Sequence, residues 1–364
     1  MTDKRGKGGR SYGSALFVVL AAAACQPAFA EAEFFGRFEN QLISEPEPIK
    51  TSLEDWGSDF DRGERQWSVN HAEVGLRYNG VELSFQQRAL ADLRMNRDAV
   101  AYWGKLSRKE DLEPGVNVPI SISVNGFTAQ GLRVGYRHSL ANGWLAVGGT
   151  LLKASHLMSG ELNGEFESLS ASDYDFSAQV DYAYYRDVIF SRPKIDEADG
   201  LGWSFDLAGE WRPDDSWTLR FRAEDLFAKI RWRDAPYTVA RADTRRKSYD
   251  DDGYAIFDPI LTGTEGYRKA FYQELDPRYR GEIALSEGKW SAHLRGQYQF
   301  GYGFAGIGAG YQVGRKTEVR ALYWPELDAM GVELETGKWR LALSLDSPQW
   351  ERVQSLGFTL SKGY

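Results

Sequence analysis

Apolar and polar residues alternate with a period of two along most of the chain. In WSVNHAEVGLRY, Ala72, Val74, Leu76 and Tyr78 fall on one side, and His71, Glu73, Gly75 and Arg77 on the other. Asn79-Gly80 follows, a pair suited to the left-handed conformation that a two-residue hairpin turn demands. The next segment returns with Val81, Leu83 and Phe85 opposed to Glu82, Ser84, Gln86 and Arg88. LGWSFDLAGEW, YDFSAQVDYAY and WSAHLRGQYQF repeat the pattern. A repeat of two is the side-chain period of a β-strand with one buried face. No long helical period competes with it, so a single all-β domain is expected.

A soluble periplasmic sandwich would also alternate. Two features favour a closed barrel in lipid. Tight turns recur with a fixed neighbour: Trp144, Trp217, Trp290 and Trp339 each follow one. An indole there suits a membrane interface, with its ring in lipid and its N–H among headgroups. Short turns also alternate with long connections, as the periplasmic and outer ends of a barrel do. With tight turns at the periplasmic end, upward strands begin near Glu33, Val81, Trp144, Tyr174, Trp217, Trp290, Thr317 and Trp339. Downward strands end near Tyr78, His138, Ser170, Trp211, Leu285, Val313, Glu335 and Tyr364. The fold predicted is a transmembrane antiparallel β-barrel of about sixteen strands, with fourteen as the alternative. The alternative applies if Asn163-Gly164 belongs to one long loop within 158–190. Long outer connections are expected at 45–66, 95–127, 158–164, 191–200, 233–276 and 346–352. The fifth is long enough to fold into the pore or to lie outside it.

The first thirty residues read as a cleaved leader. Lys4, Arg5, Lys7 and Arg10 precede an apolar run from Ala15 to Ala24, and Ala28-Phe29-Ala30 ends it, the layout of a secretory signal peptide. The run is shorter than the roughly 20 residues of a membrane-spanning helix. Cleavage after Ala30 would remove Cys25, the one cysteine, leaving residues 31–364 without a disulfide or thiolate metal site. The formal net charge is −8, which argues against nucleic acid as a partner. Mean hydropathy is −0.48, yet a barrel strand needs only one apolar face. The 12 Trp, 19 Tyr and 19 Phe suit aromatic girdles.

The chain ends in LGFTLSKGY, where Leu356, Phe358 and Leu360 alternate and Tyr364 is a terminal aromatic. This resembles the C-terminal signal read by the barrel-assembly machinery of Gram-negative bacteria, with Lys362 departing from the apolar alternation. Together with the leader and the strand pattern, it makes residues 31–364 resemble a porin or related outer-membrane barrel. That resemblance implies an outer-membrane location and contact with lipid, lipopolysaccharide and the assembly machinery. It also implies small hydrophilic solutes as cargo and, for a general porin, a homotrimer.

The face opposite the apolar one is charged, and unpaired charge is costly to bury. The pore-lining candidates are Arg133, Arg137, Asp206, Glu210, Arg220, Arg222, Lys229, Arg231 and Arg295. Asp206 and Glu210 on one strand would face Arg220 and Arg222 on the next. Opposed charges of this kind set a transverse field across a constriction. Arg77, Arg88, Asp175, Asp181, Arg280, Arg320, Glu333, Glu335 and Arg340 extend the set. A bulge near Asp225 would shift the phase from Leu226 onward. The opposing reading is that arginines and carboxylates pair between neighbouring strands and fill the lumen.

The function expected from these residues is passive diffusion of small hydrophilic, anion-leaning solutes through a charged lumen. One alternative is an export barrel for an acidic polysaccharide. Another is a structural or rim-enzyme barrel with a plugged lumen. No enzyme is expected: His156, in KASHLMSGE, lies near the outer rim, but its neighbour Ser155 should point to the opposite face. No cofactor or metal is expected either. Ser248, Asp250, Asp252 and Gly253 match the start of a calcium loop, yet Pro259 stands where a bidentate glutamate is needed.

Overall fold

The computed structural model describes residues 32–192, 195–245, 247–249, 255–257 and 261–363. The leader, Arg246, Tyr364 and the calcium-loop candidates Asp250, Asp252, Gly253 and Pro259 lie outside these residues.

Among the described residues, twenty strands follow in chain order. The first eight are β1 (Glu33–Ser44), β2 (Arg65–Tyr78), β3 (Val81–Met95), β4 (Asn117–Leu140), β5 (Gly143–Ser168), β6 (Tyr174–Tyr184), β7 (Asp199–Trp211) and β8 (Trp217–Arg233). Five short ones come next: β9 (Ala235–Asp243), β10 (Lys247–Tyr249), β11 (Ala255–Phe257), β12 (Leu261–Arg268) and β13 (Phe271–Glu274). The last seven are β14 (Arg278–Glu287), β15 (Trp290–Gln299), β16 (Tyr302–Gly314), β17 (Thr317–Trp324), β18 (Ala329–Thr336), β19 (Trp339–Leu345) and β20 (Ser355–Lys362). Two helices, α1 (Ile49–Glu54) and α2 (Arg97–Ser107), lie in the first two outer connections.

Fourteen strands close the ring, all antiparallel: β1 to β5, β7, β8 and β14 to β20, with β20 pairing back onto β1 from Gly36↔Lys362 to Ile43↔Ser355. Closure removes the free edges that lipid would leave unsatisfied. The expectation of about sixteen strands therefore gives way to its alternative of fourteen. The reason lies in β5, which runs straight through Asn163-Gly164, with Asn163 facing both Ser121 and Gln179. Its lower part pairs with β7 from Gly143 to Ala154, and its upper part pairs with β6 from Met158. The hairpin counted in 158–190 thus stands above the ring. There β6 pairs with β9, β9 with β12, and β13 with the outer end of β8. Of connection 233–276, β9, β12 and β13 belong to this outer sheet, while β10 and β11 pair with each other in a separate two-stranded sheet. Likewise, the last third of the expected loop 95–127 is strand, since β4 begins at Asn117. The wall is lopsided: β4 and β5 have 24 and 26 residues, whereas β17 to β20 have 7 or 8.

The outward face is apolar. Leu83, Phe85, Leu132, Val134, Val147, Leu294, Ile307, Val332 and Leu343 stand exposed around the ring. So continuous a band belongs in lipid rather than water. Tyr78, Tyr136, Trp211, Trp217, Trp290 and Trp339 ring its periplasmic end, and Trp203, Tyr279 and Tyr298 its outer end. Lys362 also points out and lies over the Trp339 ring, 5.3 Å from its centre. Its aliphatic stem can cover lipid-facing surface while the ammonium reaches the interface, which explains its place in the last strand. Trp144 departs from the expected belt. It faces Glu210 on β7, turns into the lumen and lies under the Arg137 guanidinium at 3.7 Å. Replacing Val332, midway along β18, by arginine is expected to destabilise the folded barrel by about 2–4 kcal/mol. Guanidinium titration in lipid vesicles reads this, and an unchanged midpoint would show that β18 does not face lipid.

Candidate functional site

The inner face holds a layer of charges that pair with one another. On β4, Arg133 grips both oxygens of Asp206 on β7 at 2.8 and 2.6 Å and donates to Glu82 on β3 at 2.8 Å. Glu210 takes Arg220 at 2.8 Å, one strand over. Arg295 grips Glu333 at 2.9 and 3.0 Å, and Arg320 and Arg340 reach the same carboxylate at 2.6 and 2.8 Å. Glu282 meets His293 at 3.0 Å, Arg295 at 3.2 Å and Arg340 at 3.4 Å.

A second set of pairs spans the lumen. β1 and β14 are diametrically opposite in the ring, yet Arg280 on β14 holds both oxygens of Glu39 on β1, one of them at 2.9 Å. Arg37 on β1 donates to Glu224 on β8 and, at 2.9 Å, to Nδ1 of His71. Arg88 on β3 donates to Asp225 on β8. Arg278 lies 3.3 Å from each of Glu224 and Asp225. Gln41 on β1 accepts from Gln297 and Gln299 on β15 at 3.0 and 2.7 Å. Arg37, Glu39, His71, Glu224, Asp225 and Arg278 are all buried. Side chains from facing walls therefore meet in the middle, and the expected water-filled lumen is filled instead.

The geometry of β8 makes this possible. Asp225 and Phe227 both have positive φ, 59° and 52°, which non-glycine residues adopt only where surrounding structure enforces it. The register against β7 jumps at both: Leu207↔Ala223, then Phe205↔Leu226, then Trp203↔Lys229. The first bulge turns Glu224 and Asp225 inward in succession. The second restores the original phase.

That restoration corrects two candidates. Lys229 and Arg231 stand opposite Trp203 and Leu201 on the outward face, where Lys229 pairs with Glu274 at 3.1 Å. One bulge would have brought them into the lumen; two cancel. Asp175 and Asp181 sit on β6, above the ring, so they do not line the wall either. Arg133, Arg137, Asp206, Glu210, Arg220, Arg222 and Arg295 do face inward. The structure gathers them as paired charges rather than as a free basic strip: Arg137 is 3.4 Å from Glu82 and Arg222 is 3.8 Å from Glu224.

An apolar layer covers the ionic one toward the outer end. Trp232, Ile230, Leu152, Leu157 and Phe127 pack together, with Leu275 from the segment after β13. Across the barrel, Ile43, Trp67, Val69, Phe300 and Phe304 form a second cluster, and Leu90 touches both. Trp232 is fully buried and donates to Gln273 at 2.9 Å. It lies so close to β7 that a Cβ on Gly200 would meet its ring at 2.8 Å. Below the second cluster is a cavity of about 210 Å³. Phe304, Leu322 and Trp324 form one wall of it, and Glu39, Arg280 and Glu333 line its charged part.

At the rim, His156 overturns one expectation. Its φ of 55° turns the ring back, so that Nδ1 lies 3.1 Å from Ser155 Oγ and 2.7 Å from Thr128 Oγ1. Neighbours on a regular strand could not meet this way. Among the described residues no carboxylate is hydrogen-bonded to the ring, whose Nδ1 is met by the two hydroxyls alone.

No protein-family model matches the chain, and no curated protein does. Solved structures with similar architecture include the P. putida toluene transporter TodX, at 11% identity and a TM-score of 0.42, covering 93% of this chain and 91% of that one. The Ralstonia pickettii toluene transporter TbuX aligns at 7% identity and a TM-score of 0.32, covering 91% and 89%. A Pseudomonas aeruginosa FadL homologue aligns at 9% and 0.35, covering 91% and 87%. These are distant likenesses of architecture and say nothing of what this chain carries. The closed ring, its apolar band and its aromatic girdles decide the class. The chain is an outer-membrane β-barrel. Sequence reading missed its central charges, Arg37, Glu39, Glu224, Asp225, Arg278 and Glu282. The signal was present in FFGRFENQ, where Arg37 and Glu39 alternate with Phe38 and Asn40.

Proposed function

We propose that this barrel is a gated outer-membrane channel, closed in the state described. One observation carries the reading: Arg280 with Glu39, and Arg37 with Glu224, bridge the lumen from facing walls. An open, anion-leaning pore would need Arg220 and Arg222 to face water unpaired, whereas Arg220 is held by Glu210. A purely structural barrel is the competing reading, and the chemistry of the plug speaks against it. Taking an ion out of water costs several kcal/mol, so a barrel meant only to stay shut is closed more stably by apolar side chains. Charged pairs can separate and rehydrate, which suits a plug that opens.

The test is to record the refolded wild-type protein in a planar bilayer while ramping voltage and then acidifying the bath. Silence at low voltage, with discrete openings under stronger field or acid, is expected. A well-inserted barrel that stays silent throughout would favour the structural reading, and steady ohmic conductance at rest would contradict closure.

A further inference from the structure

From the cavity between the ionic layer and the outer apolar cluster, we infer a binding site for a neutral, hydroxyl-rich small molecule of monosaccharide size. Its shape comes from what β18, β19 and β20 lack. Their inward positions there are Gly331, Ala342, Ser344 and Gly357, so the wall recedes between Leu322 on β17 and Gln41 on β1. Gly357 adds no side chain to the recess, and a Cβ there would lie 2.4 Å from Ser344 Oγ, which would have to turn aside. The resulting volume, about 210 Å³, holds one substituted ring rather than a chain.

The chemistry of the lining selects the class. Every charge at the cavity is already matched: Arg280 by Glu39, and Arg295 and Arg340 by Glu333. An ionic ligand would have to compete with these pairs. What remains open is neutral. Gln41 is engaged only through its carbonyl oxygen. Its amide N–H groups, the carbonyl of Gln297 and the hydroxyls of Ser344, Ser355 and Thr359 have no protein partner among the described residues, and all of these residues line the cavity. Donors and acceptors facing a cavity need partners, and sugar hydroxyls supply both kinds. Trp324 and Phe304 on the opposite wall offer the flat apolar surface that the C–H face of a pyranose covers. Leu327, in the outer turn after β17, and Ser355, just past the last outer connection, also line the cavity and bring it close to the outer rim.

The site goes beyond gating, and its test is independent of conductance. Saturation-transfer NMR would be run on wild-type protein in a sugar-free zwitterionic detergent, with methyl α-glucoside and methyl α-galactoside as probes. Benzoate, choline and toluene serve as competitors. Ring-proton signals from at least one glycoside are expected, undiminished by benzoate or choline. Ser344→Phe, which fills the recess, and Trp324→Leu, which removes the platform, should each lose an order of magnitude in affinity. Both variants should keep the heat-dependent gel shift of a folded barrel. Absence of glycoside signal from folded wild type would overturn the site. Either folded variant binding as wild type does would overturn its placement, and displacement by toluene or benzoate would overturn the ligand class. None of these outcomes bears on whether the plug opens under voltage.

Discussion

Replacing Glu224 by alanine is expected to destabilise the folded barrel by about 3–5 kcal/mol, the range for removing one partner of a buried ion pair. The carboxylate meets Arg37, Arg278 and Arg222. Its loss leaves Arg37 and Arg278 beside Asp225 and Glu39 in a site with little water, where excess positive charge is expensive. The expected sign differs for a joint apolar replacement. Arg37→Met with Glu224→Leu removes both charges at once and should recover most of the loss, because a matched apolar pair avoids the desolvation cost. A double-mutant cycle by guanidinium titration in lipid vesicles gives the coupling directly. A loss below about 1 kcal/mol for Glu224→Ala, the range of solvated surface pairs, would mean the lumen is wet and the plug is not formed.

Replacing Trp232 by alanine is the second large effect, about 3–5 kcal/mol, as for other buried aromatic truncations. Its ring fills the centre of the outer apolar layer, and its N–H is satisfied by Gln273, which also donates to Asn125 on β4 at 2.6 Å. Truncation opens a hole against Gly200 and strands the Gln273 carbonyl. The damage should concentrate at the outer end. Protease accessibility of β9 and β13 should rise well before the transmembrane ring loses its heat-resistant gel mobility. Trp217→Ala, in the periplasmic girdle, is the control and should leave these two strands as in wild type. Equal protection of β9 and β13 in Trp232→Ala would show that the outer sheet is anchored without this residue.

The ring was legible because its rule is local. Period-two alternation marked β2 and β3 around Asn79-Gly80, and indoles after tight turns marked Trp217, Trp290 and Trp339. What escaped was whatever depended on partners distant in sequence. Asn163-Gly164 has the composition of a turn, but Ser121 and Gln179 pair with Asn163 from both sides and hold it in strand. Trp144 follows a turn like its counterparts, yet its strand parity sends it inward beneath Arg137. Two bulges two residues apart in β8 cancel in phase, so counting from either end misassigns the residues between and beyond. The largest revision, an open lumen becoming a filled one, follows from the same limit. Sequence reading found inward charges such as Arg133, Asp206 and Arg220 but not Arg37, Glu39 or Glu224, and it paired those it found only with neighbouring strands. The contacts that close the barrel join Arg37 to Glu224 and Arg280 to Glu39, across 187 and 241 residues of chain.

The most direct measurement of closure is single-channel recording at low voltage, comparing wild type with a variant in which Arg37, Glu39, Glu224 and Arg280 are all replaced by alanine, so that both bridges are cut back to small side chains. Wild type should insert without steady conductance, while the variant, its Arg280–Glu39 and Arg37–Glu224 bridges gone, should show stable ohmic steps. Ohmic steps of equal size from both proteins would contradict a lumen closed by these side chains.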